Sequence, residues 1–195
     1  MAESNEAAPS APGAPSDVLM ALYTNDRDRA KALAIGRALS LPELAAFGNL
    51  EAVSNHVAHH PEDLAEYSPD GWTALHLASY FGYAMVVVRL LRAGASHSAR
   101  SHNVQGNTAL HAAIAGRCEM AVMTALLAAG SDAGAIDAQG YAPLHLAADR
   151  GDLALCELLL ACGAPRETPT TEGKRPADLA QAKGHHDLAE WLARE

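Results

Sequence analysis

Between residues 17 and 195 the chain alternates short apolar bursts with glycine and polar breaks. Within a burst the apolar residues lie three and four apart, which gathers them on one side of a helix. Val86-Val87-Val88-Arg89-Leu90-Leu91, Ala125-Leu126-Leu127 and Leu158-Leu159-Leu160 each run on into a glycine, Gly94, Gly130 and Gly163. A shorter apolar stretch comes before each and ends near a glycine such as Gly82 or Gly151. Glycine accepts the left-handed conformation that closes a helix. About ten residues rich in Ser, Asn, Asp and Gly then follow, the composition of an extended turn or finger. The predicted order is helix, turn, helix, finger, over and over.

Four segments stand in register: Gly71-Trp72-Thr73-Ala74-Leu75-His76-Leu77-Ala78, Gly106-Asn107-Thr108-Ala109-Leu110-His111-Ala112-Ala113, Gly140-Tyr141-Ala142-Pro143-Leu144-His145-Leu146-Ala147 and Gly173-Lys174-Arg175-Pro176-Ala177-Asp178-Leu179-Ala180. Their leading glycines are 35, 34 and 33 residues apart. A period of this size marks a solenoid, in which a unit buries its apolar face only against its neighbours. The register resembles the ankyrin repeat, whose signature is T-P-L-H-x-A. Thr73 and Thr108 fit it with Ala in place of Pro, and Ala142-Pro143 fits with Ala in place of Thr. The resemblance implies an all-α ankyrin-repeat solenoid of about five helix-turn-helix units. It also implies that His76, His111 and His145 bond backbone between units, and that the module binds proteins and does no chemistry.

Residues 1–16 are rich in Pro, Ala and Ser and read as a disordered tail. The folded part is predicted from 17 to 195. It divides into a divergent first unit at 17–39, repeats at 40–70, 71–105, 106–139 and 140–172, and a C-terminal cap at 173–195. In the first unit, Asp17–Tyr23 and Arg29–Ile35 read as helices, with Ser16 or Asp17 as the cap. Leu41–Gly48 aligns with Leu75–Gly82 as the next first helix. Gly94 to Gly106 is 12 residues, against 10 for Gly130 to Gly140, so the finger at 96–105 carries two extra residues. One further residue falls between the helices near Gly116-Arg117-Cys118. Extra loop length is cheap in stability, and loops are where binding tends to reside.

The charge of −9 argues against nucleic acid, which needs a concentrated basic surface. By steering it could favour a basic patch on a partner. No apolar run reaches the roughly 20 residues that span a membrane. With no secretory signal at the start, the expected setting is the cytoplasm, and the expected state a monomer. Cys118, Cys156 and Cys162 lack the paired spacing of a zinc site and read as small buried hydrophobes in a reducing compartment. The 10 histidines invite a metal or catalytic reading. His76, His111 and His145 each sit on their own unit, so they cannot converge on one ion. His59-His60 and His185-His186 read as solvated surface. No nucleophile elbow, phosphate loop or H-E-x-x-H is present. Asp149 and Asp152 flank Arg150 at a helix-to-helix turn, where capping explains them. No cofactor, metal or catalytic residue is expected.

Aromatics are scarce, at 5%; the resemblance implies partner contacts from the fingers and from the exposed end of each first helix, and both phenylalanines map to that end. Phe47, Tyr80 and Phe81 stand there, with Asp149 and Arg150 at the corresponding place two units on. Trp72 and Tyr141 follow a repeat glycine at the base of a finger. His97, Arg100, His102 and Val104 lie on the long finger, and Asn107 just beyond it. These twelve residues are the expected partner-binding set on the concave face and fingers. Thr73, His76, Thr108, His111, His145, Gly82, Gly94, Gly130, Gly151 and Gly163 are the expected structural set. Tyr80 and Phe81 could instead pack between units and stiffen the stack. On the binding reading, Trp72→Ala with Phe81→Ala abolishes binding while melting stays cooperative. A regulatory or inhibitory subunit of an enzyme is the second reading, and a metal-binding protein using surface histidines the third.

Overall fold

The computed structural model describes residues 13–194, and among them the regular structure is helical. Twelve α-helices fall into six antiparallel pairs. They are α1 (Asp17–Tyr23) with α2 (Arg27–Ala34), α3 (Leu41–Phe47) with α4 (Leu50–His59), and α5 (Ala74–Tyr80) with α6 (Ala84–Arg92). Then come α7 (Ala109–Ala115) with α8 (Met120–Ala128), α9 (Pro143–Arg150) with α10 (Leu153–Ala161), and α11 (Pro176–Ala182) with α12 (His186–Leu192). A 3-10 turn, Pro61–Ala65, opens the first finger, and an isolated β-bridge joins Tyr67 to Thr73. First helices stack on first helices, α3 on α5, α5 on α7, α7 on α9 and α9 on α11. The expected stack of about five units is six pairs when the divergent first unit and the C-terminal cap are both counted.

Each pair is built by local chemistry. Ser40, Thr73 and Thr108 open α3, α5 and α7 as N-caps in extended conformation. Asn49 and Asp152 cap α4 and α10, their side chains accepting from Ala52 N and Leu155 N. Gly94, Gly130 and Gly163 close α6, α8 and α10 at φ of 99°, 96° and 88°, the left-handed region. Ser40 with Glu43 occupies the place of Thr73 with His76. Judged by the caps, Leu41 therefore answers to Ala74, and the second unit's helix starts one residue later than the sequence alignment of Leu41 with Leu75 has it. Its turn is correspondingly one residue shorter.

Two apolar clusters fill the stack. The larger runs from Leu41 to Leu192 through Leu75, Leu90, Leu110, Ile114, Leu126, Leu144 and Leu159. The smaller joins Val18, Leu19, Leu22 and Ala30 of the first pair to Ala46 and Leu77. Residues 13–16 are part of this body. Gly13 N–H donates to Pro69 O at 2.6 Å, and the Ser16 hydroxyl donates to the buried Glu43 carboxylate at 2.7 Å. The expected tail thus ends earlier than residue 16, and the rest of it, residues 1–12, lies outside the described residues.

Candidate interaction surface

Units are joined by a ladder of buried imidazoles. His76 Nε2–H donates to Asn107 O at 2.9 Å, His111 to Tyr141 O at 3.0 Å, and His145 to Lys174 O at 3.2 Å. A carbonyl only accepts, so the proton sits on Nε2 and Nδ1 is bare. Nδ1 in turn accepts from the Thr73 and Thr108 hydroxyls at 2.7 and 2.8 Å, and from Ala142 N–H at 3.0 Å. Burial disfavours the charged ring and pushes His76 down to about 4. Burial lowers His111 and His145 as well. These three rings hold the stack and are out of reach of any ligand. In the last unit Asp178 takes their place and accepts from Arg175 N–H within its own unit.

The aromatic residues do not stand on an open face as expected. Phe47, Trp72 and Phe81 are half-buried, packed on the smaller apolar cluster with Tyr23. Tyr23 stacks on Phe81 at 5.7 Å between ring centres and meets Tyr80 edge-on at 6.0 Å. Its hydroxyl donates to Asp70 at 2.8 Å, and burial raises its pKa. Trp72 lies edge-on to His76, as Tyr141 does to His145. The reason is the α1–α2 pair, whose apolar face needs a partner and takes these rings. Of the set, Tyr80 keeps the most access, at 36% exposure. With its neighbours half-buried, the double variant Trp72→Ala, Phe81→Ala is expected to lose stability.

The turn ends carry a second set of ties between units. Arg150 donates to Ile114 O at 2.7 Å, and the Cys118 thiol donates to Ser79 O at 2.9 Å. Both add a second donor to carbonyls at the end of the preceding unit's first helix, which also accept from the Gly82 and Arg117 N–H of the following turn. Arg150 is thus occupied, and Asp149 pairs with Lys183 at 3.3 Å. Cys118 is only half-buried, Cys156 is buried with its thiol pushed up to about 12, and Cys162 is exposed, so the three are not uniformly core. His185 also departs from a solvated role. It packs so closely on Gly151 that a Cβ there would lie 2.6 Å from the ring.

The long finger is held rather than loose. Arg100 Nη1 donates to Gly106 O at 3.0 Å and to Ile136 O of the next finger at 2.6 Å. Ala138 N–H donates to Gln105 O, and the Gln139 amide to Val104 O. The His102 ring stacks on Tyr67 at 3.5 Å, and the His102 backbone N–H donates to Gly71 O. His97 lies against Gly130, and Asn107 is taken up by Ser101 and Gln105. The residues that close the fingers escaped the sequence reading. Asp137 and Thr170 each accept two backbone N–H groups with one side chain, and Ser101 accepts that of Asn107. Ser101 shares that oxygen with a donation to Asn103. Asp137 and Thr170 stand three residues before their repeat glycine and Ser101 five, in the longer finger, so unequal spacing and three residue types hid the shared role. On this fixed frame Val104 stands 84% exposed and Ile136 45% exposed.

The expected residues therefore fall into three places. Phe47, Trp72, Tyr80 and Phe81 meet at the N-terminal end. His97, Arg100, His102, Val104 and Asn107 lie along one finger, with Tyr141 at the base of the next. Asp149 and Arg150 sit at a turn on the opposite edge. Among the described residues no group of three His, Cys, Asp or Glu could hold a metal. No described helix is long and apolar enough to cross a membrane. A family model described as ankyrin repeats, in three copies, matches residues 43–123 and again 120–195. No curated protein matches the chain.

Proposed function

The chain belongs to the ankyrin-repeat family, and from that premise we propose that it binds a partner protein through its fingers and the concave face beside them. Ankyrin repeats are generally protein–protein interaction modules, and the family is typically non-enzymatic. The observation that carries the reading is the display of Val104 and Ile136. Two apolar side chains are presented to solvent by fingers that hydrogen bonds lock together. A side chain already fixed loses little freedom on binding, so its burial goes into affinity. Tyr80 supplies a third, aromatic contact at the N-terminal end.

Val104→Asp is expected to weaken capture of the partner from native lysate by about 2 kcal/mol or more, the scale of an interface anchor. Its melting should be unchanged, because the side chain packs on nothing. Retention of the same partner by the variant would move the site away from the fingers. The regulatory-subunit reading is a special case, decided by whether the captured protein is an enzyme whose rate changes on addition of this chain.

A further inference from the structure

We propose that the finger at 96–105 takes an acidic segment of the partner, which sets carboxylates against Arg92 and Arg100 and an apolar side chain against Val104. The inference rests on the finger reading above and adds the chemistry of what is bound. It runs against the chain's net charge of −9. That total hides a sharp segregation along the stack. Residues 43–70 carry six carboxylates, and no Lys or Arg occurs from 38 to 88. Residues 71–118 carry four arginines and no carboxylate. From 118 to 149 there is again no cation, with Glu119, Asp132, Asp137 and Asp149 present.

Because each unit contributes one finger, these blocks become bands along the rim. The first finger holds Glu62, Asp63, Glu66 and Asp70, the second lies beside Arg89, Arg92 and Arg100, and the third holds Asp132 and Asp137. Arg92 is exposed where α6 runs into the finger, and Arg100 is exposed within it. Among the described residues no ion pair engages Arg89, Arg92 or Arg100. The bands are therefore not spent on one another. A positive band with negative bands on both sides attracts an acidic segment at one finger and repels it one unit to either side. Such repulsion fixes register as well as attraction does. The two residues inserted in this finger, and Val104 at 84% exposure with them, lie at the same place.

The test is an amide chemical-shift titration of the full chain with two synthetic peptides. One is a leucine flanked on each side by glutamates, the other the same leucine flanked by lysines. The glutamate peptide is expected to shift amides within 92–107. Raising salt from roughly 50 to 500 mM should abolish the response, since exposed charges are screened over that range. Arg92→Glu should weaken it roughly three- to tenfold, as expected for reversing one exposed charge. The lysine peptide should instead shift residues 62–70 and 132–137. Three results would overturn the proposal: no response to the glutamate peptide in 92–107, an unchanged response in Arg92→Glu, or an equal response to a thymidine oligonucleotide. A cellular partner released by Val104→Asp but indifferent to Arg92→Glu and to salt would also overturn it, and would leave the finger reading standing.

Discussion

Among the described residues Asn25 and Arg117 are the non-glycine residues with positive φ. At the turn between paired helices, Gly48, Gly82, Gly151 and Gly184 take φ between 72° and 82°, and Arg117 takes the same place at 55°. A left-handed residue with a Cβ costs about 1–2 kcal/mol relative to its right-handed form. Arg117→Gly is therefore expected to raise stability by about 1 kcal/mol in a denaturant titration, and a fall would mean that the side chain has a packing role. Its neighbour is the reverse case. Gly116 has an ordinary negative φ, but a Cβ there would lie 1.9 Å from Tyr80 O. Gly116→Ala must push α7 from α5 and should lower stability by about 2 kcal/mol or more, in the range of overpacked sites. The imidazoles supply the pH dependence. His76 titrates at about 4 when folded, against about 6.5 when unfolded. The unfolded chain thus takes up the proton first as pH falls. The stabilisation is full above about 6.5 and is lost progressively toward 4, a loss on the order of 3 kcal/mol for His76 alone. His111 and His145 add to it in the same direction. Melting temperature should drop steeply across that window, and a flat profile would show the rings to be solvated.

At the scale of the element, the N-terminal pair shows where a sequence pattern stops informing. Its helices were legible, because Ser16 and the spacing of Val18, Leu19 and Leu22 announce α1. What it covers was not. Nothing in the order of residues says that Tyr23 stacks on Phe81 across more than fifty positions, so rings expected on an open face proved half-buried. The repeat helices behaved oppositely. Their starts near Thr73, Thr108 and Pro143 and their closing glycines follow from residues within a few positions of one another and were legible, whereas the Ser40 cap of α3 was not. The finger was legible in length but not in rigidity, since its locks reach from Arg100 to Ile136 and from Gln139 to Val104. Leu19 lies at the centre of the small cluster and is fully buried. Leu19→Ala should cost about 2–5 kcal/mol if the pair folds with the stack. Trp72 emission, shifting to the red in the same variant, would place the loss beneath the rings. A loss below 1 kcal/mol would mean that the pair is detached in solution.

At the scale of the whole molecule, stability is a sum of units and of the junctions between them. The junctions differ in kind. Three use an imidazole, the one below α3 uses the buried Glu43 with the Ser16 hydroxyl, and the last unit keeps its Asp178 bond to itself. Acid should therefore loosen the middle before the ends. Hydrogen exchange at pH near 5 is expected to rise in α5 to α9 ahead of α11 and α12, and uniform exchange would argue for one indivisible unit. The ladder also has a direction. Every imidazole reaches forward, from a residue to a carbonyl about thirty positions later in the chain. A ribosome makes the donor first and the acceptor last. During synthesis the newest unit always holds an imidazole with nothing yet to bond, and its neighbour is complete only when one more finger has emerged. The nascent chain thus folds one unit in arrears. It closes its account when Lys174, the last acceptor, leaves the tunnel.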